Sequence, residues 1–342
     1  MAVIDADAHV VETERTWEFV NEDEQDFKPA ILAPRHGKTP APEYWFIDGR
    51  VFAKGVNIGL DTPDGARELS DIQKRLAHMD ELGVDVHVLY PTLFLRAVTR
   101  HPEIERALYR SYNRWLAEIW KQAPDRMRWA VMVPLMNMDW AIEELHFGKE
   151  NGACGVFTRG LEWNHRLSDP FMFPLYEEAS KLDMPITVHS GVANIDYADL
   201  FMRDSGFSAF KLAVVGAFHD LVMKGTPEKF PDLRWVFVEV SSQWLPYALN
   251  DAGLRLAKAG TKLVTREILK EYQMYVACQT TDDFDWILDC VGDENLMIGT
   301  DYGHADTSSE IEALRTLRES GAVDKASAEK ILNDNPRRAY AL

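Results

Sequence analysis

An acidic residue and a histidine lie two positions apart near the amino terminus, in the segment Asp5-Ala6-Asp7-Ala8-His9. Alternate residues of a β-strand point to the same face, so a strand here would present Asp7 and His9 together. A carboxylate and an imidazole placed this way can both reach one cation, and they can also simply hydrogen-bond to each other. The segment alone therefore leaves a metal site and a hydrogen-bonded pair open.

Three further apolar runs end in an ionisable residue: one ends at His189, one at Glu239 and one at Asp301. A buried strand that ends in such a group is unfavourable unless the group is paired or binds a metal. Several such endings at one rim are difficult to explain by packing. The set Asp7, His9, His189 and Asp301 offers nitrogen and oxygen ligands suited to one Zn²⁺, with Mn²⁺ or Fe²⁺ as alternatives because two of the ligands are carboxylates.

These residues lie at the ends of apolar runs that belong to a repeating pattern. In this pattern a β-branched apolar run is followed by an amphipathic helix, and the pattern occurs eight times. Continuous apolar runs are typical of parallel strands that are covered on both faces. A doubly wound sheet is possible, but the count and the length of 342 residues favour an α/β fold of the (β/α)₈ TIM-barrel type, whose active sites lie at the carboxyl ends of the strands. The predicted strands are residues 3–10, 84–92, 128–135, 152–159, 185–191, 234–240, 274–279 and 296–301.

Two long segments do not belong to this pattern, so we expect one barrel domain over residues 1–342 with insertions after strands 1 and 5. Residues 11–69 contain an aromatic hairpin that turns at Asp48-Gly49. Residues 192–224 contain additional helix. Both segments leave from strand carboxyl ends, so they could wall or cap a pocket, with ordinary decoration of the barrel as the alternative.

The composition excludes several classes of protein. A net charge of −18 disfavours nucleic acid and anionic membranes as partners. Three cysteines without a CxxC spacing argue against a disulfide framework and fit a cytoplasmic protein. No apolar run approaches the ~18 residues of a membrane span. The sequence also lacks a Gly-x-Ser-x-Gly elbow, a phosphate loop, a dinucleotide fingerprint and a His-Glu-x-x-His motif.

Short segments spread over nearly the whole chain match, in order, those of a known family. They are Asp5 to His9, Leu82-Gly83-Val84-Asp85, Tyr90-Pro91-Thr92, Pro185 to Gly191, Phe230-Pro231-Asp232-Leu233-Arg234, Trp244-Leu245-Pro246-Tyr247, Gly299-Thr300-Asp301-Tyr302 and Asn333-Asp334-Asn335-Pro336. In these segments the chain resembles the amidohydrolase superfamily. The resemblance is to the amidohydrolase-related branch, which includes aminocarboxymuconate-semialdehyde decarboxylase and resorcylate decarboxylase.

The resemblance implies a mononuclear metal centre built from Asp7, His9, His189 and Asp301. Many members carry histidine or glutamate in place of Asp7, and the decarboxylases usually carry a histidine in place of Glu239. The implied activity is non-oxidative decarboxylation of a small aromatic or cyclic carboxylate, with Asp301 or Glu239 as proton donor. The first alternative is metal-dependent hydrolysis of a lactone, ester or amide, in which Asp301 takes a proton from the attacking water. A metal-free hydrolase or a non-catalytic ligand-binding barrel is the second alternative.

Five further residues are candidates for the site. Arg159 could bind the carboxylate of a small-molecule substrate or form a salt bridge to a rim acid. His304 could contact substrate, orient the strand-end aspartate or be a satisfied loop histidine. His219 could face the site, with a packed helix histidine as the alternative, and Tyr302 and Trp244 could wall an apolar pocket. A homodimer is the expected assembly for such a barrel.

Overall fold

The structure of the protein is a computed structural model that describes residues 2–33, 42–55, 57–261 and 266–342. Its strands form one sheet of eight and one of three. The strands are β1 (Ile4–Val10), β2 (Ala30–Leu32), β3 (Tyr44–Ile47), β4 (Arg50–Ala53), β5 (Val86–Pro91), β6 (Met127–Met132), β7 (Ala153–Arg159), β8 (Ile186–His189), β9 (Trp235–Val238), β10 (Met274–Cys278) and β11 (Leu296–Ile298).

The helices follow the strands in alternation and cover the outside of the larger sheet. They are α1 (Ile72–Leu82), α2 (Pro102–Gln122), α3 (Met138–Glu150), α4 (Phe173–Lys181), α5 (Ile195–Leu200), α6 (Leu212–Lys224), α7 (Thr226–Lys229), α8 (Leu245–Lys258), α9 (Ile268–Glu271), α10 (Phe284–Val291), α11 (Ala313–Glu319), α12 (Lys325–Glu329) and α13 (Asn335–Tyr340).

The larger sheet runs β1, β5, β6, β7, β8, β9, β10, β11, and each neighbouring pair is parallel. The residues of β1, β7, β8, β9 and β10 are all buried, as expected for strands with side chains on one face and helices on the other. This arrangement confirms the predicted (β/α)₈ TIM barrel.

The barrel closes where the chain leaves β11 and passes beside β1. The Asp301 N–H donates to the Asp7 carbonyl at 2.9 Å, and the His9 N–H donates to the Tyr302 carbonyl at 3.0 Å. Gly299 allows this approach, because a Cβ at position 299 would lie 2.4 Å from the Asp7 Cβ. Closure therefore places the residues after β11 directly against the first strand.

Several strands end earlier than the apolar runs predict. The predicted sixth strand continues to residue 240 and the predicted eighth to residue 301, whereas β9 ends at Val238 and β11 at Ile298. Glu239 and Asp301 adopt left-handed backbone conformations, with φ of 62° and 53°, which turn the chain out of the ladder. Both side chains are thereby presented from turns at the barrel rim.

The two segments outside the barrel pattern have structure of their own. Tyr44–Ile47 and Arg50–Ala53 form the predicted antiparallel hairpin around Asp48-Gly49, and Ala30–Leu32 adds a third strand. Residues 34–41 and 56 of the predicted first insertion lie outside the described residues. The segment 192–224 holds α5, a short π-helical stretch at Phe207–Lys211 and α6.

Within the part of the chain that the structure describes, no helix is both long and apolar enough to cross a membrane.

Candidate metal centre

Five ionisable side chains meet at the carboxyl end of the barrel. Asp7 and His9 come from β1, His189 is the last residue of β8, and Glu239 and Asp301 come from the turns after β9 and β11. All five are buried. The structure thus brings together the four residues that the sequence indicates as metal ligands and adds Glu239 to them.

The ligand atoms lie at the distances expected around a single ion. The Nε2 atoms of His9 and His189 are 3.1 Å apart. Asp7 Oδ1 lies 3.3 Å from His189 Nε2, and Asp301 Oδ1 lies 3.3 Å from His9 Nε2. Two ligands on one zinc, each bonded at roughly 2.0–2.1 Å, lie about 3 Å from each other. Asp7, His9 and His189 form one group of possible ligands, and His9, Glu239, Asp301 and His304 form a second group that shares His9 with the first.

The hydrogen bonds of the two imidazoles fix which nitrogen faces the centre. His9 Nδ1 lies 3.0 Å from the Pro91 carbonyl, and His189 Nδ1 lies 2.9 Å from the Ser190 carbonyl. A carbonyl only accepts, so each Nδ1 carries a proton. In the neutral rings both Nε2 lone pairs then face each other, which is unfavourable unless a cation lies between them.

Burial, and then the neighbouring imidazoles of His304 and His189, hold the pKa of His9 well below its usual range. The His9 ring is therefore neutral near neutral pH, which is the form that binds a metal ion. The fit of the donor set to a cation comes from this neutrality and from the carboxylates around it.

Glu239 lies as close to the centre as the predicted ligand Asp7. Its Oε2 is 3.3 Å from His189 Nε2 and 3.5 Å from His9 Nε2, and it receives no hydrogen bond from the described residues. Burial, followed by the charges of Asp301 and Asp7, raises the pKa of Glu239 well above its usual range. A bound cation would offset this cost, so Glu239 is a further ligand candidate rather than a remote acid.

Asp301 is held from two sides by residues that follow it in the chain. Ser309 Oγ donates to Asp301 Oδ2 at 2.6 Å, and His304 Nδ1 lies 2.7 Å from Asp301 Oδ1. His304 Nε2 lies 2.9 Å from Thr92 Oγ1, whose own proton is donated to the Val10 carbonyl at 2.7 Å. Thr92 therefore accepts from His304, and the ring can carry protons on both nitrogens.

Burial alone shifts the pKa values of Asp301 and His304 in opposite directions. Burial raises the pKa of Asp301 to about 6, although His304 works against that rise. Burial lowers the pKa of His304, but the Asp301 carboxylate more than offsets it, and the net pKa is raised. The two residues form an acid and base pair, of which His304 lines the cavity described below.

Arg159 does not reach the site, and its alternative as a salt bridge is the one observed. Its guanidinium pairs with Glu162 at 3.0 and 2.8 Å, donates to the Phe94 carbonyl at 2.9 Å and contacts the Tyr109 hydroxyl at 3.3 Å. The side chain is buried. With its donors occupied by protein groups, Arg159 has none to offer a substrate.

Two other candidates also point elsewhere. His219 lies in α6 and bonds to Asp251 of α8 at 2.9 Å, on the outside of the barrel. Tyr302 is buried with its hydroxyl 2.8 Å from His78 Nδ1, and the guanidinium carbon of Arg75 lies 3.6 Å from its ring centre. Neither residue is among those that line the cavity described below, and their predicted contacts with substrate stay predictions.

A cavity of about 1520 Å³ opens above the cluster. Glu239, His304 and the predicted wall residue Trp244 line it. Trp244 also donates its indole N–H to the Ser241 carbonyl at 2.7 Å and packs on Phe218, so it serves the pocket and the helix packing together. Both segments outside the barrel pattern contribute to the wall, the hairpin through Trp45, Val51, Phe52 and Ala53, and residues 192–224 through Phe201, Phe210 and Lys211.

Sequence reasoning missed four residues with clear positions at the site: Thr92, Ser309, Arg96 and Lys211. Thr92 ends the segment Tyr90-Pro91-Thr92, which resembles a segment of the amidohydrolase superfamily. This resemblance is the one sequence signal for Thr92. Ser309, Arg96 and Lys211 lie in loops and irregular helix, where spacing gives no direction for a side chain.

Comparison with known proteins identifies relatives of the whole chain and of parts of it. A family model described as amidohydrolase matches residues 4–342. The γ-resorcylate decarboxylase of Rhodococcus jostii (strain RHA1) is 34% identical over 134 residues, a match that covers 35% of this chain and 40% of that protein. The aligned region thus spans about two fifths of the length of this curated relative.

Two solved structures share the fold across most of their length. An amidohydrolase from Mycobacterium avium subsp. paratuberculosis K-10 is 20% identical with a TM-score of 0.78, and the match covers 98% of this chain and 97% of that one. The 5-carboxyvanillate decarboxylase of Novosphingobium aromaticivorans, complexed with manganese and a nitrobenzoic acid, is 19% identical with a TM-score of 0.64 over 79% of this chain and 80% of that one.

Proposed function

The chain belongs to the amidohydrolase family, and from this premise we propose that it is a metal-dependent enzyme that releases carbon dioxide from an aromatic or cyclic carboxylate. The observation that carries the proposal is the pair of buried Nε2 atoms, 3.1 Å apart, with both Nδ1 protons bonded to carbonyls. The choice of decarboxylation is supported by the partial likeness to γ-resorcylate decarboxylase.

In this proposal Asp7, His9, His189 and Asp301 hold one divalent ion, with Glu239 at its edge. Bound there, the ion would act as a Lewis acid toward a substrate oxygen. Two imidazoles favour Zn²⁺, and the carboxylates also suit Mn²⁺ or Fe²⁺. Manganese accompanies the related 5-carboxyvanillate decarboxylase, so both Mn²⁺ and Zn²⁺ belong in the first assays.

The chain's own residues supply the proton that decarboxylation consumes. The bond between the ring carbon and the carboxylate breaks, its electron pair stays on the ring carbon, and a proton must form the new carbon–hydrogen bond. His304 holds that proton between Thr92 and Asp301 and can pass it to Asp301 Oδ1 across 2.7 Å. We assign Asp301 as the proton donor because its carboxyl group contacts His304, which lines the cavity.

Hydrolysis of a lactone, ester or amide is the second candidate, and one observation favours it. Asp301 Oδ1 is buried and receives no well-formed hydrogen bond from the described residues. An acceptor of this kind can take a proton from an attacking water molecule, and His304 would then share the proton. Glu239, which stands where the decarboxylases of the family usually carry histidine, would serve as a second base.

The experiment measures metal content and reaction products on the same preparation. Protein purified without chelator is analysed for metal and incubated with hydroxybenzoates, lactones and amides in the presence of Mn²⁺ or Zn²⁺. Carbon dioxide without acid release supports decarboxylation, and acid release without carbon dioxide supports hydrolysis. His189→Ala should abolish either reaction, and His146→Ala, at an exposed histidine paired with Glu178, should not.

A metal-free hydrolase or a non-catalytic barrel would give a different pattern. Metal content below ~0.2 per chain, together with unchanged behaviour of His189→Ala, would contradict a metal-dependent enzyme. The homodimer and the cytoplasmic location stay predictions that size measurement and cell fractionation would test.

A further inference from the structure

We propose that Arg96 and Lys211 form an anion-binding subsite in the cavity, so that the substrate carries a second acidic group besides the one that reacts. The inference rests on the proposed function in placing the substrate in this cavity. It names the substrate class as an aromatic or cyclic dianion, such as a dicarboxylate.

Arg96 and Lys211 are the two side chains of Lys or Arg type among the described residues that line the cavity. The Lys211 ammonium contacts only hydroxyls, Ser308 Oγ at 2.8 Å and Thr307 Oγ1 at 3.2 Å. The Arg96 guanidinium lies over the Phe210 ring at 5.1 Å and makes no hydrogen bond or ion pair with any described side chain. Neither cation therefore forms an ion pair with an acid in the described part of the molecule, although the charge of Lys211 acts on Glu239 and that of Asp199 acts on Arg96.

Three of the four acids that line the same cavity, all except Glu239, have hydrogen-bond donors within the protein. Glu12 accepts from the backbone N–H groups of Thr92 and Leu93 at 3.1 and 2.9 Å. Asp204 accepts from the Ser208 N–H at 2.7 Å.

Asp306, a third acid of the cavity wall, accepts from the Ser308 N–H at 2.7 Å and from the Asn57 amide at 2.8 Å. Of the acids that line the cavity, Glu239 alone lacks a hydrogen-bond donor among the described residues, and in the proposed function it lies at the edge of the metal ion.

One short segment positions both cations. Lys211 ends the π-helical stretch that begins at Phe207, and Phe210, the residue before it, lies under the Arg96 guanidinium. The Gly191 N–H donates to the Phe210 carbonyl at 3.3 Å, which ties this stretch to the turn after β8. The ring under Arg96 and the Lys211 side chain therefore come from consecutive residues of one stretch of the cavity wall.

The subsite is connected to the metal centre but distinct from it. Ser308 Oγ, the partner of Lys211, also lies 3.4 Å from the Glu239 carbonyl oxygen. Lys211 is therefore two contacts from the backbone of Glu239 without touching any of the residues assigned to the metal. A molecule with one acidic group at the metal centre could place a second near Lys211.

The charge and size of the cavity fit a dianion with an apolar body. Desolvation and the charge of Arg50 lower the pKa of Arg96, and the charge of Asp199 opposes them; the side chain is exposed at the cavity wall, so an external anion can reach it. A volume of about 1520 Å³ exceeds the range of about 300–1,000 Å³ common for small-molecule sites. The cavity wall also carries apolar side chains, including Leu95, Val192, Phe210 and Trp244.

The test compares binding of mono- and dicarboxylates by calorimetry at fixed ionic strength, with benzoate, isophthalate and terephthalate as probes. The wild type should bind at least one dicarboxylate about tenfold more tightly than benzoate, since a hydrogen bond to a charged group contributes about 1.5–3 kcal/mol. Arg96→Gln and Lys211→Gln should each remove most of that preference and leave benzoate binding within about twofold, because benzoate has no second acid to lose.

The matched control is Arg100→Gln, which removes an exposed arginine that is ion-paired to Asp196 and should leave all three affinities unchanged. Arg96→Lys keeps the charge and should retain part of the preference, which separates loss of charge from misfolding. Equal losses for benzoate and the dicarboxylates, or no preference in the wild type, would overturn the inference.

The measurement is repeated in chelator so that the two proposals can fail separately. A dicarboxylate preference that persists without metal and depends on Lys211 supports the subsite, even if no carbon dioxide is ever released. Carbon dioxide release from monocarboxylates, with no dicarboxylate preference, would support the proposed function and contradict the subsite.

Discussion

Two buried polar clusters lie side by side at the carboxyl ends of neighbouring strands, and they are built in opposite ways. Arg159 of β7 is the register partner of His189 of β8. Around Arg159 the donors and acceptors balance, because Glu162, the Tyr109 hydroxyl and the Phe94 carbonyl take up its N–H groups. We call this the closed cluster.

Around His189 the acceptors outnumber the donors. Asp7, Glu239 and Asp301 bring three carboxylates to two imidazoles whose facing nitrogens carry lone pairs. Glu239 Oε2 has no hydrogen-bond donor in the described residues, and Asp301 Oδ1 has only the 2.7 Å contact with His304 Nδ1. We call this the open cluster.

The balance of hydrogen-bond donors and acceptors therefore distinguishes a cluster with a structural role from a cluster that can bind a ligand. A buried ion pair with all its hydrogen bonds made stabilises only its own surroundings and has nothing left for a ligand. A buried excess of acceptors is unfavourable alone and becomes favourable when a cation is added. Perturbing each cluster should therefore change stability in different directions.

Removing the cation of the closed cluster should have the largest effect. Arg159→Met leaves Glu162 buried without its partner, which should lower the free energy of unfolding by about 3–5 kcal/mol. The measurement is urea denaturation followed by circular dichroism. Arg166→Met, which breaks an exposed pair with Asp169 at the same i,i+3 spacing, should change stability by less than about 0.5 kcal/mol.

Adding a cation should stabilise the open cluster. At a free metal concentration of 100 times Kd, Mn²⁺ or Zn²⁺ should raise the free energy of unfolding by about 2.7 kcal/mol, because the folded state alone binds it. Thermal melts with metal and with chelator measure this difference. His189→Ala should remove the response, and Arg166→Met should keep it in full; a metal response that survives in His189→Ala would place the ion elsewhere.

The sequence predicted most of the open cluster because the relevant signal is periodic. Apolar runs predict where each strand lies, and the residue that ends the run falls at the barrel rim, as His189 does. The exact placement of Glu239 and Asp301 could not be predicted, since a left-handed conformation at a Glu or Asp leaves no mark of the kind that a glycine does.

The sequence could not distinguish the closed cluster from a substrate site. Arg159 and His189 both end buried strands, and what separates them is the partner, Glu162, which reaches back over three residues of irregular chain. His219 shows the same limit, because its periodicity predicts a helix but its neighbour Asp251 belongs to another helix. Contacts between elements need the folded chain.

Neutralising one acid of the open cluster should stabilise the protein in chelator. Burial and two nearby carboxylates raise the pKa of Glu239 above its usual range. Below the usual pKa of a glutamate, folded and unfolded chains are both protonated and nothing is lost. As the pH rises above it, the unfolded chain releases its proton while the folded chain retains it, so wild-type stability falls.

Glu239→Gln has no proton to release and escapes this loss. The variant should exceed the wild type by about 1–3 kcal/mol at pH 7 in chelator, the cost of an unsatisfied buried group, and the gap should shrink toward pH 4. Denaturation at both pH values measures it. A gap that grows on acidification would mean that Glu239 is favourably paired in the metal-free protein.

The smallest expected change in the free energy of unfolding comes from removing the hydroxyl group of one of two buried tyrosines, whose hydroxyls have different partners. Tyr109 and Tyr112 are both buried in α2, and both pack edge-on against Phe94. The Tyr109 hydroxyl accepts from Arg159 in the closed cluster, whereas the Tyr112 hydroxyl has no partner in the described residues.

Tyr109→Phe should therefore lower the free energy of unfolding by about 1 kcal/mol, the value of a typical hydrogen bond. Tyr112→Phe should be neutral or stabilising, because it removes a desolvated hydroxyl that bonds to nothing. Neither variant should change metal content, since neither touches the open cluster. Equal losses in both variants would show that ring packing, and not the hydrogen bonds of Arg159, sets the stability of this region, and the distinction between closed and open clusters would lose its energetic basis.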